Sequence, residues 1–162
     1  MFRAVRADRA GMTDLSRPPW LPLGSLLVRE RLITTEQLEV ALLEQQQLKW
    51  RLGEILVNWG WVTSREIAFA LAEQYGLGFL DLTKAEIDEE AAKLMRPDTA
   101  RRYHALPVRF LPDGVLLIAI GDPTDVGACD QLRDELGRPV RLAVADESDL
   151  SLAVERIYKL VA

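Results

Sequence analysis

The chain has 162 residues, of which 49% are hydrophobic and 28% are charged, and this composition supports a packed core and excludes global disorder. The formal net charge of −5 argues against a nucleic-acid backbone as the main partner, because phosphate groups are neutralised by a basic surface. The single cysteine, Cys129, excludes an internal disulfide and a cysteine-based zinc cluster, and it predicts a reducing, cytoplasmic environment.

Residues 1–20 are predicted to form a flexible arm that ends at Pro18 and Pro19. This segment carries four Arg and two Asp, is the only basic part of the chain, and has no apolar stripe. It contains no continuous apolar stretch, and no later run is long enough to cross a bilayer, so neither a signal peptide nor membrane insertion is predicted. The functional alternative for the arm is a weak anchor to an acidic partner.

Residues 21–78 contain an internal repeat. The segments LGSLLVRERLITTEQLEVALLEQ and LGEILVNWGWVTSREIAFALAEQ align with an offset of 29 residues. Each copy is predicted to form a short helix, a turn and a longer helix. Thr34 and Thr63 precede the longer helices as N-caps, and Gln37 and Glu66, three residues later, complete two capping boxes. We therefore expect an all-helical subdomain of two helix-turn-helix repeats.

The longer helices carry apolar stripes at spacings of three and four residues, formed by Leu38, Ala41 and Leu42 and by Ile67, Ala70 and Leu71. The next position on each stripe is an amide, Gln45 or Gln74. A buried amide must find a hydrogen-bond partner, because leaving it unpaired costs about 1–3 kcal/mol. Otherwise each glutamine is a helix-end cap or part of a solvated rim.

Each short helix begins with a Leu-Gly pair, at Gly24 and at Gly53. Glycine there permits close approach of a ligand, and free N–H groups at a helix start favour an anion. Two such starts would suit a ligand with two similar halves. The same glycines also fit a simpler role, which is the tight packing of helices.

Residues 79–162 are predicted to form a small α+β sandwich. The segments FLDL and PVRLAVA are candidate strands, and LPVRFL and VLLIAI form an antiparallel hairpin around the turn signal PDG. Helices are expected at DEEAAKLM, which stops before Pro97, and at DTARRYHA, TDVGACDQLRDELG and DESDLSLAVERIYKL. In the segment GDPTD, Asp122 is predicted to cap the following helix, with Asp125 completing its capping box. The predicted fold class is α+β, a helical subdomain followed by an α/β sandwich.

The chain lacks the motifs that carry common enzyme chemistry. It has no Gly-Lys pair and so no Walker A loop, and no nucleophile elbow or paired metal-ligand histidines occur. We therefore predict a non-catalytic protein with no catalytic cofactor and no metal. The segment SREIAFALAEQYGL has the look of a DNA-binding helix-turn-helix, but the acidic balance and the lack of a basic recognition helix argue against DNA as a partner.

The paired Leu-Gly units, the spacer between them, the segment LGFLDL and the later IAIGDPTD together resemble the N-terminal domain of type II secretion and type IV pilus assembly ATPases. The form with duplicated motifs is called MshEN, and the resemblance covers roughly residues 20–160. It implies a domain that precedes a hexameric motor ATPase. It also implies one of two functions: cyclic di-GMP binding through both repeats, or docking of the motor to an inner-membrane platform protein with a degenerate nucleotide groove.

The family motif begins with Arg-Leu-Gly, continues through two aliphatic residues, a Gly-hydrophobe pair and two leucine-like positions, and ends in Gln. The second copy matches this motif throughout, whereas the first has Pro22 in place of Arg and Arg31 in place of Gly. The ligand-binding residues that the resemblance implies are Leu23, Gly24, Leu27, Arg31, Leu32, Leu42, Gln45, Arg51, Leu52, Gly53, Leu56, Gly60, Trp61, Leu71 and Gln74.

The two departures in the first copy bear on ligand binding. An arginine can stack on a purine and pair with its acceptor edge or with phosphate, whereas Pro22 can only pack. Arg31 stands where glycine could adopt a positive φ, a conformation that costs other residues about 1 kcal/mol or more. Arg31 also brings a cation near an anionic ligand, so it either replaces the missing charge or fills the groove. Trp50 and Trp59 fall outside the motif and are expected in packing or at the surface.

Overall fold

A computed structural model describes residues 21–161, and the predicted arm at residues 1–20 lies outside the described residues. The elements in chain order are α1 (Leu23–Arg29), α2 (Thr35–Leu48), α3 (Leu52–Asn58), α4 (Ser64–Tyr75), β1 (Gly78–Phe79), α5 (Glu89–Ala92), α6 (Pro97–Tyr103), β2 (Ala105–Phe110), β3 (Leu116–Ile120), α7 (Val126–Leu136), β4 (Val140–Val144) and α8 (Glu147–Val161). The predicted α+β fold class is confirmed, because two helical repeats precede a sandwich of helices on a four-stranded sheet.

Both predicted capping boxes are present and explain where the longer helices begin. The Thr34 hydroxyl accepts from the Gln37 backbone N–H at 3.1 Å, and the Gln37 side chain accepts from the Thr34 N–H at 2.9 Å. Thr63 and Glu66 make the same reciprocal pair at 3.1 and 3.0 Å. Two free donors at each helix start are thereby satisfied within a single turn of chain.

The two repeats pack against each other by an exchange of contacts, in which the helices of one copy lie against those of the other. The longer helix of each repeat contacts the short helix of the other, α2 against α3 and α4 against α1. The Gln45 amide donates to the Trp50 carbonyl at 3.1 Å, and the Gln74 amide donates to the Leu21 carbonyl at 2.8 Å. These donors and acceptors occupy equivalent positions in the two copies, so each repeat anchors the segment that leads into the other. The predicted need of the two amides for partners is met by this exchange.

The sheet has the strand order β1-β4-β3-β2. Strand β4 runs parallel to both β1 and β3, and β2 and β3 form the predicted antiparallel hairpin. Its turn contains Gly114 at φ +84°, a conformation that favours glycine. Strand β1 has only two residues, shorter than the predicted FLDL, because the chain turns at Asp81, whose carboxylate accepts from the Thr83 backbone N–H at 3.0 Å.

Helices α5 to α8 cover the sheet and complete one hydrophobic core around Leu106, Ile118, Leu132, Leu150 and Ile157. Within this core the Tyr158 hydroxyl donates to the Ala92 carbonyl at 3.1 Å, and burial raises the pKa of Tyr158 to about 12. Cys129 is buried on α7, as predicted for a small hydrophobe, and burial raises the pKa of its thiol.

The predicted start of α7 is wrong. The N-cap is Asp125, whose carboxylate accepts from the Ala128 N–H at 2.9 Å, and the helix begins at Val126. Asp122 does not cap this helix. One of its carboxylate oxygens accepts from the Thr124 N–H at 2.9 Å, and the other faces Arg51 of the second repeat. The Asp122 carboxylate, which the local sequence predicts as a helix cap, therefore forms a long-range ion pair with Arg51 instead.

Helix α4 joins the helical repeats to the sheet. Ala68 and Ala72 are buried against Val144 of β4, and the rings of Phe69 and Phe79 lie with centroids 5.0 Å apart. At the start of α4, the Ser64 hydroxyl contacts both carboxylate oxygens of the buried Asp146 at 3.0 Å. Asp146 also accepts from the Ser148 N–H at 2.8 Å, so the same carboxylate caps α8 and fixes α4.

Among residues 21–161, no helix combines the length and apolar content needed to span a bilayer.

Candidate functional site

A cavity of about 540 Å³ lies between the second repeat and the α+β half, within the size range of small-molecule sites. Its apolar wall comes from the repeats and includes Leu23, Leu52, Ile67, Ala68 and Leu71. Its polar wall comes from both halves and includes Gln45, Arg51, Glu54, Asp122 and Glu147. A flat, partly polar ligand could therefore contact both apolar carbon and charged groups.

Arg51 is the central charged group of this cavity. It is the residue that precedes α3, with extended backbone at φ −68° and ψ 146°, so its side chain leaves the helix at the junction of the two halves. The guanidinium contacts Glu54 at 2.9 Å, Asp122 at 2.6 Å and Glu147 at 3.6 Å, and the side chain remains 49% exposed. Arg51 thus bridges the second repeat to two carboxylates of the α+β half while it stays accessible to a ligand.

The electrostatics of the site favour a charged arginine. Partial burial acts to lower the pKa of Arg51, but the hydrogen bond to Glu54 and the charges of Asp122 and Glu147 outweigh it and raise the pKa. The same hydrogen bond from Arg51 holds the pKa of Glu54 below its ordinary value. Among residues 21–161, Arg51 is the cation that the cavity presents, with carboxylates around it, an arrangement that suits a ligand with both acceptor and donor edges.

Six of the predicted ligand-binding residues line the cavity, namely Leu23, Gln45, Arg51, Leu52, Gly53 and Leu71. They come from both repeats, because the exchange brings α1 and α2 beside α3 and α4. Leu23 and Gln45 are the contribution of the first copy. The structure thus gathers part of the predicted set at one place.

The other predicted residues lie elsewhere. Gly24, Leu27 and Leu56 are buried in the core of the repeats, and Leu32 and Trp61 are half-buried against it. Trp61 meets the edge of the Trp59 ring at a centroid distance of 4.9 Å, so both rings pack on the repeat core. The remaining residues outside the cavity wall are Arg31, Leu42 and Gly60, which are exposed, and Gln74, which bonds to Leu21.

The two glycines of the Leu-Gly pairs lie in close packing contact with the long helices. A Cβ on Gly24 would lie 2.5 Å from Leu38 Cδ1, and a Cβ on Gly53 would lie 3.0 Å from Ile67 Cγ2. Both distances are shorter than ordinary van der Waals contact, so a side chain at either position would displace the Leu38 or Ile67 side chain. Gly53 also forms part of the cavity wall, whereas Gly24 does not.

The two departures of the first copy are visible in the backbone. Arg31 has φ +60°, and the equivalent Gly60 has φ +75°, so the first copy keeps the glycine conformation with a non-glycine residue. Pro22 takes the place of Arg51 immediately before the short helix and brings no cation. The cation of the cavity, Arg51, is accordingly supplied by the second repeat.

Several cavity residues were not singled out from the sequence. Trp50, Glu54, Asp122 and Glu147 line the cavity, although Trp50 was expected in packing or at the surface and Asp122 as a helix cap. Glu54 has a local signal, since its carboxylate accepts from the Arg51 backbone N–H at 3.0 Å three residues earlier. Asp122 and Glu147 have none, because only folding brings them to Arg51.

Comparison with known proteins places the chain in a family. The sequence profile of the MshEN domain matches residues 75–161. The chain is 33% identical over 136 residues to the type IV pilus assembly ATPase PilB of Myxococcus xanthus, and 40% identical over 126 residues to PilB of Thermus thermophilus. The first match covers 84% of this chain and 24% of the relative, and the second covers 77% and 14%. The chain therefore spans about a quarter or less of these relatives.

Two solved structures share the fold. The structure of MshE with cyclic di-GMP superimposes with a TM-score of 0.76 at 34% identity and covers 85% of this chain and 99% of that one. The N-terminal domain of XpsE superimposes with a TM-score of 0.66 at 26% identity and covers 83% and 92%. The chain belongs to the MshEN domain family of pilus and secretion ATPases, which confirms the resemblance seen in its motifs.

Proposed function

We propose that this chain is a non-catalytic regulatory domain that binds cyclic di-GMP in the cavity between its second repeat and its α+β half. The observation that carries the proposal is the placement of Arg51, an accessible arginine on the wall of a cavity of about 540 Å³. The similarity to MshE, solved with cyclic di-GMP, supports the choice of ligand. The ligand has two equal guanine nucleotides, and the cavity is lined by residues from both repeats.

The groups around Arg51 match the edge of a guanine base. Guanine presents O6 and N7 as acceptors, which arginine can contact with two hydrogen bonds, and its N1–H and N2–H₂ groups are donors. Arg51 supplies the donors, and the carboxylates of Asp122 and Glu147, which contact Arg51, supply acceptors beside it on the same polar wall. Leu52 and Leu71 offer apolar contact to the face of a base. An adenine would meet the wrong pattern of donors and acceptors.

The first repeat is expected to bind its half of the ligand more weakly. It contributes Leu23 and the Gln45 amide to the cavity, but Pro22 leaves it without the arginine of the second copy. This asymmetry is also the observation that favours the alternative function, a docking module with a degenerate nucleotide groove. In that alternative the chain binds an ATPase or an inner-membrane platform protein whether or not nucleotide is present.

Calorimetric titration with cyclic di-GMP tests the proposal. The parent chain should release heat with saturable binding, and Arg51→Ala should weaken the affinity at least about tenfold, because a hydrogen bond to a charged group contributes about 1.5–3 kcal/mol. Arg141→Ala is a matched control, since this arginine pairs with Asp113 at 3.8 Å and does not line the cavity. The control should bind like the parent, and cyclic di-AMP should compete poorly.

Absence of binding heat from the parent chain would end the cyclic di-GMP proposal and leave the docking module. We propose further that a bound nucleotide is sensed by a pilus or secretion motor ATPase in the cytoplasm. Support comes from the names of the relatives, which are pilus assembly ATPases. Co-purification with such an ATPase that is unchanged by cyclic di-GMP would argue against this relay.

A further inference from the structure

The solvent-exposed side of α2 carries large apolar side chains, as a surface that binds another segment does. We define the α2 face by Glu36, Glu39, Val40, Leu42, Leu43 and Glu44, which lie on the side of α2 away from the repeat core. Val40, Leu42 and Leu43 are 50%, 42% and 63% exposed. These three large aliphatic side chains lie within one turn of the helix, and a contiguous exposed apolar patch is typical of an interaction surface.

The repeat shows what such a face does elsewhere in the same molecule. The positions equivalent to Val40, Leu42 and Leu43 are Phe69, Leu71 and Ala72 on α4. Phe69 packs on Phe79, and Ala72 is 0% exposed in a cluster with Val144 of β4, because the α+β half covers that side of α4. Leu71 is 9% exposed and lies beside the cavity. The pairing of the two repeats therefore presents two equivalent faces, of which the described residues cover only one.

The α4 face is covered by the sheet of the α+β half. The charges of the α2 face indicate that a different kind of surface covers it. Glu39 stands where α4 has the buried Ala68, so a flat apolar sheet would bury a carboxylate there. Helix α2 also carries Glu36 and Glu44 and contains no Lys or Arg. An occupant with apolar side chains next to arginines would satisfy both features.

We propose that residues 1–20 of this same chain dock on the α2 face. This segment contains four Arg and two Asp, together with Phe2, Val5, Met12 and Leu15, so its charge and apolar content complement the face. It joins the described chain at Leu21, whose carbonyl is held by Gln74. Twenty residues can span up to about 70 Å, well beyond the length of α2, which is about 20 Å.

Attachment makes such docking favourable even when the contacts are weak. A segment tethered through a short flexible connection has an effective concentration in the millimolar range at its site. A second copy of the chain would have to reach the same face at its bulk concentration. Two α2 faces packed on each other would bring like charges together, which argues against a direct dimer through this surface. The inference does not depend on the proposed nucleotide site.

Disulfide trapping in the full chain tests the proposal. Ala10→Cys combined with Gln47→Cys places one thiol in the segment and one beside the α2 face, and the native Cys129 is buried. Ala10→Cys combined with Glu135→Cys, on the exposed side of α7, is the matched control. At low salt the first pair should form an intramolecular disulfide at least about tenfold faster than the control pair, because docking raises the local thiol concentration.

Charge reversal makes the test specific. Glu36→Lys with Glu39→Lys should reduce trapping to the control rate, and adding Arg6→Glu with Arg9→Glu should restore it. About 1 M salt, where the Debye length falls to about 3 Å, should also slow trapping. Three results would each overturn the proposal: equal rates of disulfide formation for the two cysteine pairs, a rate for the first pair that neither charge reversal changes, or disulfide-linked dimers as the main product.

Discussion

At the residue scale, the two copies of the repeat differ most at Arg31. Its φ of +60° matches the left-handed conformation of Gly60, so the turn geometry is set by the repeat and not by the residue in it. A non-glycine residue is strained in this conformation by the clash of its Cβ with the following carbonyl. The sequence predicted this strain, because the aligned glycine of the second copy marked the position.

Arg31→Gly should stabilise the protein by about 0.5–1 kcal/mol, since relief of backbone strain exceeds the extra entropy that glycine brings to the unfolded chain. Urea unfolding measures the change as a higher transition midpoint. Arg29→Gly is the control, because Arg29 lies within α1 and glycine there should destabilise by about 0.5–1 kcal/mol. Destabilisation by both substitutions would mean that the Arg31 side chain makes contacts that outweigh its strain.

A second residue-scale feature sets acid sensitivity near the junction of the two halves. Hydrogen bonds from Arg65 at 3.0 Å and from Thr83 hold the pKa of Asp81 well below its ordinary value of 3.8. A carboxyl whose pKa is lowered by folding stabilises the protein above its unfolded pKa, and this contribution is lost as the pH falls below that value.

Asp81→Asn should therefore destabilise the protein by about 1 kcal/mol near neutral pH, a modest figure because Arg65 is largely exposed. The difference between variant and parent should shrink below about pH 4. Unfolding free energies at about pH 7 and pH 3 measure it, with Asp134→Asn on exposed α7 as control. A difference that stays constant across this range would refute the role of the ion pair.

Local residue contacts were predictable, and distant ones were not. The capping boxes of Thr34 and Thr63 follow from residues three positions apart, so sequence alone located both helix starts. Arg51 was found through the repeat and the family motif. Its partner Asp122 lies 71 residues away, and the short segment around Asp122 also fits a helix cap, so the sequence predicts a cap there and that prediction is wrong.

At the element scale, the close packing of short and long helices defines the repeat. Gly24 and Gly53 face Leu38 and Ile67 so closely that a Cβ would overlap them. The sequence left two roles open for these glycines, ligand approach and helix packing. The geometry supports packing at both, while ligand contact stays a prediction for Gly53, which also lines the cavity.

Gly24→Ala should destabilise the protein by about 1–3 kcal/mol, because the new methyl group would force Leu38 out of its position. Gly127→Ala is the matched control. Its Cβ would meet only Asp125 Oδ1 at 3.6 Å, so alanine should stabilise α7 by up to about 1 kcal/mol. Thermal unfolding of both variants separates the two effects, and a stabilised Gly24→Ala would disprove tight packing of α1.

Element boundaries show where tertiary structure overrides pattern. Leu42 lies on the predicted apolar stripe of α2, yet it is 42% exposed, whereas the equivalent Leu71 on α4 is buried. Periodicity identified both stripes, but it could not show that the α+β half covers only α4. The strand FLDL was likewise shortened by the turn at Asp81, which pairing with β4 and a local hydrogen bond determine together.

At the scale of the whole molecule, the candidate site belongs to neither half alone. The repeats supply Arg51 and the apolar wall, and the α+β half supplies Asp122 and Glu147. Helix α4 and the bond between Ser64 and Asp146 hold the halves together beside the cavity. A ligand in this cavity would contact both halves and so report its binding to whatever the α+β half touches.

The most direct test is a backbone-amide NMR titration of this 18.2 kDa chain with cyclic di-GMP. We expect saturable shifts at the cavity wall, at Gly53 and Leu71 in the repeats and at Gly121 and Glu147 in the α+β half. Residues of the hairpin turn around Gly114 should stay unchanged. Shifts confined to α6 and to residues 151–161 of α8, or no shifts at saturating nucleotide, would contradict the proposed site.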